Sequence, residues 1–236
     1  MFDTQDLLTA GLHLGHKKQR THPKTNKYIY NYEKGVAIFD LFKTQTQLNT
    51  ALAYLKELKK DNKNLIIVAT KNTISDSISQ LAKDANIEYL TDKWIGGFLT
   101  NFSTIKKNID NINEQIKQRD SGEWDKLIKH ERLALEKQLN KNLRVYKGVL
   151  TLTKIPTAMF IIDIKKEKNA VSEASKTGVK TIAVCDSNVN PELVDYPISA
   201  NDDALSSVEF ITRLIIEAYR QSDVKTPENS KSKVQS

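Results

Sequence analysis

The stretch KNLIIVATKN, residues 63–72, followed directly by TISDSISQLAKDAN, residues 73–86, decides the fold. Leu65, Ile66, Ile67 and Val68 form a short run that is apolar on both faces, rich in β-branched side chains and closed at each end by polar residues, as in a buried strand. Behind it Ile74, Ile78, Leu81, Ala82 and Ala85 recur at helical spacing. The same grammar returns in TAMFIIDIKKEKNAVSEASKTG, residues 157–178, where 158–162 reads as a strand, 166–177 as a helix and Gly178 as its stop. A further strand is expected at 181–184. Strands apolar on both faces, alternating with helices of about a dozen residues, require a parallel sheet covered by helices on each side. The expected fold class is therefore α/β, doubly wound, with a mainly parallel sheet. Asp40 is placed to cap a helix through Leu41, Leu48, Leu52, Leu55 and Leu58. Asp202 or Asp203 is placed to open one through Leu205, Val208, Ile211, Leu214 and Ile215.

Residues 103–148 break this rhythm. Ile105, Ile109, Ile112 and Ile116 alternate four and three apart, a coiled-coil seam, and after a turn at Asp120, Ser121 and Gly122 a second seam runs through Ile128, Leu135, Leu139 and Leu143. Two narrow seams joined by a turn predict an inserted antiparallel helical hairpin, with arms roughly 25–35 Å long at about 1.5 Å per residue. The expected division is an α/β body at 1–102 and 149–220, the hairpin at 103–148, and a disordered tail at 221–236, whose QSDVKTPENSKSKVQS has no apolar periodicity.

Composition narrows the function. The 236 residues, 39% of them hydrophobic, can bury a sizeable core, and 36 Lys plus Arg against 29 Asp plus Glu give a net charge of +7. The longest apolar runs are about a quarter of the ~20 residues that a spanning helix needs, so no membrane partner is expected. Asp3 and Asp6 stand where a secretory leader would carry Lys or Arg, and the lone Cys185 builds neither a disulfide framework nor a cysteine zinc site, which fits a cytoplasmic, reducing setting. No GxGxxG or GxxxxGK[ST] follows a strand, and no serine or cysteine stands in a nucleophile setting.

Three polar segments remain. GLHLGHKKQRTHPKTNKYIY, residues 11–30, holds three of the four histidines, Lys17, Lys18, Arg20, Lys24 and Lys27, and no carboxylate. Its lysines suit phosphates and Tyr28, Tyr30 and His22 suit unpaired bases, so it is a candidate RNA contact; the other reading is a solvated loop. In DKWIGGFLTNFSTIKK, residues 92–107, Gly96 and Gly97 allow close backbone approach beside Lys93, Asn101, Lys106 and Lys107, while Trp94, Phe98 and Phe102 suit a core. CDSNVNPELVDYPISANDD, residues 185–203, carries Asp186, Glu192, Asp195, Asp202 and Asp203 with no Lys or Arg. It is expected to face away from RNA and to meet a basic protein or a cation. His13 and His16, one turn apart, could join Asp186 and Asp203 around zinc or magnesium; helix caps and a structural histidine are the competing reading.

Together these segments resemble the bacterial and organellar family of small ribosomal subunit protein two. DLLTAGLHLGHKKQRTHPK is similar to its A-G-x-H-x-G-H opening, DKWIGGFLTNFSTIKK to its R-W-x-G-G-x-L-T-N segment with Lys93 for Arg. IPTAMFIID, EASKTGV, DSNVNP and PISANDDA resemble its P-D-A-x-F strand, E-A-x-x-x-G turn, D-x-N-x-[DN]-P strand end and P-I-x-x-N-D-D-A helix entry. Thr21 and His22 depart from the aromatic and Asn usual before Pro23, and Lys180 from a usual Pro. The resemblance implies a structural, non-enzymatic constituent of the small ribosomal subunit that requires no cofactor. Its implied partners are small-subunit rRNA and other small-subunit proteins, small ribosomal subunit protein one among them in many bacteria, rather than a free homo-oligomer. The implied location is the cytoplasmic ribosome, or an organellar stroma or matrix. An enzyme binding a nucleotide or sugar phosphate, and an off-ribosome interaction module, are the alternatives.

Overall fold

Leu65, Ile66, Ile67 and Val68 are each no more than 1% exposed, so the strand they form is covered on both faces, as the apolar run requires. The structure, a computed structural model, describes residues 2–61 and 63–220. In chain order it comprises α1 (Thr4–Thr9), β1 (Leu14–Lys17), β2 (Ile29–Glu33), β3 (Val36–Phe39), α2 (Leu41–Lys60), β4 (Leu65–Val68), α3 (Ser75–Asp84) and β5 (Glu88–Leu90). There follow α4 (Phe102–Asp120), α5 (Lys129–Tyr146), β6 (Ala158–Ile162), α6 (Lys168–Thr177), β7 (Lys180–Cys185), β8 (Tyr196–Ser199) and α7 (Leu205–Arg220).

The central sheet has the order β5-β4-β6-β7-β8, and every pairing in it is parallel. Side chains alternate between two cores with the strand period of two. Leu65, Ile67, Ala158, Phe160 and Ile182 meet Leu48, Leu55, Val208, Ile211 and Ile215 from α2 and α7. Ile66, Val68, Met159, Ile161 and Ala183 meet Ile105, Ile109, Ala170 and Ala174 from α4 and α6. At about 1.5–3 kcal/mol per buried Leu, Ile or Phe, these two layers supply the main favourable term in the folding of the body. Asp40 caps α2 as its position predicts, accepting hydrogen bonds from the amides of Phe42 at 3.1 Å and Lys43 at 3.4 Å.

Helix α7 corrects an expectation. Neither Asp202 nor Asp203 caps it: the Asn201 carboxamide oxygen accepts the amides of Asp203 at 2.8 Å and Ala204 at 3.1 Å, while Asp202 turns inward. Helix α6 begins two residues later than expected, because Asp163, at φ 65°, accepts the Lys166 amide at 3.0 Å and holds a turn first.

Within residues 14–39, for which no strand was expected, Leu14–Lys17, Ile29–Glu33 and Val36–Phe39 form a second sheet of order β1-β3-β2, antiparallel throughout. Lys34 and Gly35 both take positive φ, 47° and 79°, the geometry of the tight turn that matches strand twist in a two-residue hairpin.

Between β5 and β6, α4 and α5 pack together. Ile105, Ile109 and Ile112 are buried, and Ile112 meets Trp124 and Leu139, with Ile116, Leu135 and Leu143 alongside. Ile128 is not part of the seam: it stands just before α5, 67% exposed, and the buried indole of Trp124 fills the turn end of the pair instead. Residues 221–236, expected to be a disordered tail, lie outside the described residues. Among the described residues no helix is long and apolar enough to cross a membrane.

Candidate functional site

The amino-terminal arm is tied to the segment that follows β7. The His16 amide donates to the Ser187 hydroxyl at 2.8 Å, the His22 amide to the Ser187 carbonyl at 2.7 Å, and the Thr25 hydroxyl to the Val189 carbonyl at 2.7 Å. A Cβ on Gly15 would lie 2.9 Å from the Ser187 hydroxyl, so glycine permits this approach. From that anchored base Lys17, Lys18 and Arg20 point outward, exposed, with the Lys18 ammonium 5.3 Å from the centre of the Tyr32 ring. Among the described residues none of these three cations forms an ion pair. Lys24 and Lys27 behave differently, since both ammonium groups meet the Glu192 carboxylate.

That pairing corrects the picture of an acidic face turned away from a basic arm. The arm lies on the acidic segment, and the carboxylates are largely matched by cations from elsewhere in the chain. Lys180 pairs with Asp195 at 2.6 Å, and Lys71 reaches Asp202 at 3.3 Å, Asp163 at 3.8 Å and Asp203. Asp186 and Asp202 are 1% and 2% exposed, which removes them from any surface that a protein partner could touch. Glu192, Asp195 and Asp203 remain exposed, with Leu193 bare beside them.

The strand ends gather a charge cluster in which Asp186 and Asp202 are buried, His16 and Lys71 partly so, and Asp203 exposed. His16 Nδ1 lies 3.1 Å from Asp186 and Nε2 lies 3.8 Å from Asp203. The Asp186 hydrogen bond raises the imidazole pKa against the opposing effect of burial, and the Asp203 and Asp202 charges add to the rise. Burial pushes Asp202 up to about 7, helped by the Asp186 and Asp163 charges and opposed by Lys71. Burial works against the Lys71 charge, but Asp203 and Asp202 more than offset it and raise its pKa. His16, Asp186 and Asp203 present one ligand atom each within 4.8 Å of one another; His13 is not in the group. The Asn188 carboxamide contacts His16 Nε2 at 3.0 Å, and its buried oxygen has no hydrogen-bond partner.

A doubly wound sheet commonly binds ligands where the strand order reverses, here between β4 and β6. That crevice is filled by the protein's own groups. The Glu167 carboxylate accepts from the Thr70 amide and hydroxyl, and the Lys166 ammonium donates to the Thr70 carbonyl at 2.7 Å. Cys185, at the end of β7, is fully buried, and burial raises its thiol pKa far from the thiolate range.

The 92–107 segment is a tight loop leading into α4. Phe98 is fully buried, its ring 5.2 Å from Trp94 and 6.4 Å from Phe102. Gly97 has φ 81°, a conformation that favours glycine, whereas a Cβ on Gly96 would meet nothing within 4 Å. Asn101 precedes α4, exposed, its carboxamide oxygen accepting the Thr104 hydroxyl at 3.0 Å. Lys106 pairs with Asp110 at 2.8 Å, and Lys107 is exposed. One residue that sequence reasoning passed over controls this loop: Glu173 of α6 receives three of its amides, Gly97, Leu99 and Thr100. Its only signal in the sequence is its place in EASKTGV.

Fold and strand ends thus define a doubly wound α/β protein whose ligand crevice is occupied by internal hydrogen bonds among Thr70, Lys166 and Glu167, with no catalytic constellation among the described residues. A family model described as Ribosomal protein S2 matches residues 7–222. The chain is 41% identical over 217 residues to small ribosomal subunit protein uS2 of Amoebophilus asiaticus, covering 92% of this chain and 69% of that one. It is 38% identical over 214 residues to the uS2 protein of Chlorobium chlorochromatii, covering 91% and 85%. The corresponding figures for Dictyoglomus turgidum are 39% over 214 residues, covering 91% and 87%. The chain belongs to the ribosomal protein S2 family, whose members are structural, non-enzymatic components of the ribosome. Neither the enzyme nor the off-ribosome alternative finds support in the site or in these relatives.

Proposed function

We propose that the chain is a structural constituent of the small ribosomal subunit, held on rRNA by electrostatic contacts from the amino-terminal arm and the 92–107 loop. The observation that carries this reading is the outward set of Lys17, Lys18 and Arg20, left without carboxylate partners on an arm fixed to Ser187. Phosphate contacts position a protein on RNA without reading its sequence, and each released counterion steepens the salt dependence. Lys24 and Lys27 share Glu192 and contribute less; Lys107, Asn101 and the open face at Gly96 complete the contact, while Gly97 shapes the loop and Lys106 is spent on Asp110. Residues 103–148, rooted in the body core through Ile105 and Ile109, reach a second RNA or protein surface. A neighbouring subunit protein, in bacteria small ribosomal subunit protein one, meets Glu192, Leu193, Asp195 and Asp203. Binding of the purified protein to small subunits stripped of it, titrated against salt, tests the reading: the log of the affinity falls linearly with the log of salt, and a flat dependence refutes it.

A second reading concerns a cation. His16, Asp186 and Asp203 hold zinc or magnesium, with the Asn188 carboxamide, whose nitrogen contacts His16 Nε2, next to them. Lys71 already draws on Asp203, so metal and ammonium compete for that carboxylate. Elemental analysis of the purified protein and of its His16→Ala form tests this: metal in the first and not the second supports it, and metal in neither ends it.

A further inference from the structure

Glu173 stands on α6, yet its carboxylate is spent on a different segment. Oε1 accepts the Trp94 indole N–H at 2.9 Å and the Gly97 amide at 2.9 Å. Oε2 accepts the Leu99 amide at 3.0 Å, the Thr100 amide at 3.3 Å and the Thr100 hydroxyl at 3.3 Å. Five donors from seven consecutive residues, 94–100, thus converge on one side chain 73 to 79 positions away. Backbone N–H groups turned inward around a glycine of positive φ are the geometry with which proteins bind anions. Here the anion is the protein's own.

We infer that Glu173 is a positioning residue, an internal counter-anion that sets the shape in which the 94–101 loop meets rRNA; this rests on the function proposed above. Two consequences follow from the geometry. The amides of Gly97, Leu99 and Thr100 are occupied, so an RNA phosphate does not bind them. What the loop offers outward is the open face of Gly96, together with the exposed Lys93 and the exposed Asn101 at the entry to α4. The carboxylate also fixes the Trp94 ring, which stands against Phe98 and thereby links the loop to the core beneath it. Charge-assisted hydrogen bonds are the stronger kind, and losing all five at once frees a loop whose shape has no sheet or helix ladder of its own.

The test uses full-length protein, Glu173→Ala and Glu173→Gln, with two readouts. Amide hydrogen exchange reports on Gly97, Leu99 and Thr100, with Ile67 and Phe160 in the sheet as internal controls. Rebinding to small subunits stripped of this protein reports on docking. In Glu173→Ala the three loop amides are expected to exchange at least about tenfold faster with the sheet unchanged, and rebinding is expected to weaken by a similar factor. Sodium acetate, but not sodium chloride at equal ionic strength, is expected to restore both, because acetate refills the cradle. If Glu173→Ala loses the sheet protection as well, Glu173→Gln, which keeps the length and one acceptor, is read in its place and is expected to show the same two losses. Unchanged loop exchange, or faster exchange with undiminished rebinding, overturns the inference. Failure of the unaltered protein to rebind would instead overturn the ribosomal reading on which it rests.

Discussion

The main-chain amide of His16 donates a 2.8 Å hydrogen bond to the hydroxyl of Ser187, 171 positions further along the chain. That bond, with the side-chain contact from His16 to Asp186 beside it, fastens the basic arm to the carboxyl end of the central sheet. An exposed cationic segment is therefore presented from a fixed base, and its cations meet a partner without first paying for the ordering of a loop.

Substitutions in the arm are expected to separate phosphate contacts from internal pairs. Lys17→Ala and Arg20→Ala should each reduce the salt slope of subunit binding by about 1, the signature of one lost phosphate contact. Lys24→Ala should reduce it less, because Glu192 already holds that ammonium. Equal slopes for all three variants would mean that the Glu192 pairing does not govern which cations reach RNA.

The strand-end cluster makes stability depend on pH. Asp202 releases its proton near 3.9 in an unfolded chain and near 7 in the folded one. The folded state therefore holds the proton more tightly, and the stability this provides is complete below about 4 and lost as pH rises through 7. His16, whose pKa is also raised, acts in the same direction: its contribution is complete below about 6.5 and is lost as pH rises through its folded value. Thermal unfolding should occur at a lower temperature at pH 8 than at pH 6, and Asp202→Asn should shrink the difference. An undiminished difference in that variant would show that Asp202 is not its source.

Gly148 is where the chain returns from α5 to the body. Its carbonyl accepts the Tyr89 amide at 2.9 Å, and a Cβ there would lie 2.2 Å from the Tyr89 carbonyl oxygen. Backbone cannot yield as a side chain can, so Gly148→Ala should destabilise the protein by about 3 kcal/mol, read as a lower urea midpoint with an unchanged slope. A variant as stable as the parent would contradict the close approach of these two segments.

Trp124 closes the far end of the α4–α5 pair against Ile112 and Leu139. Trp124→Ala should cost about 3–5 kcal/mol of the stability of that pair. Amide exchange should rise in 112–143 while β4 and β6 stay protected, if the part of the pair beyond Ile109 opens independently of the body. Loss of protection throughout would mean that it does not.

The parallel sheet was legible because its strands are buried on both faces: LIIV and AMFII allow no other reading once helices alternate with them. The amino-terminal sheet was not, since LGHK is polar and only partly covered, IYNYE is exposed beyond Ile29, and neither carries an apolar face to mark a strand. Its one signal was the Lys34–Gly35 pair between IYNYE and VAIF. The basic arm and the acidic segment were both visible as charge runs, but their contact was hidden, because the Lys24 to Glu192 pairing joins residues 168 positions apart and composition carries no distance. Glu173 was invisible for a related reason: a carboxylate on an exposed helix face looks solvated until the loop that wraps it is in place. Neither Asp202 nor Asp203 opens α7 as expected: Asn201 holds the turn before the helix through the Asp203 and Ala204 amides, and the Asp202 carboxylate is buried near the Asp186 and Asp163 charges.

Salt-sensitive contacts to RNA are proposed to hold this chain in the small ribosomal subunit. The most direct test is sedimentation of an extract of the cells that make it through a sucrose gradient, followed by quantitation of the chain in each fraction. At about 0.1 M salt the chain should sediment with the small subunit at one copy per particle, and raising salt toward about 1 M should release it. A chain that stays at the top of the gradient in low salt would contradict the account.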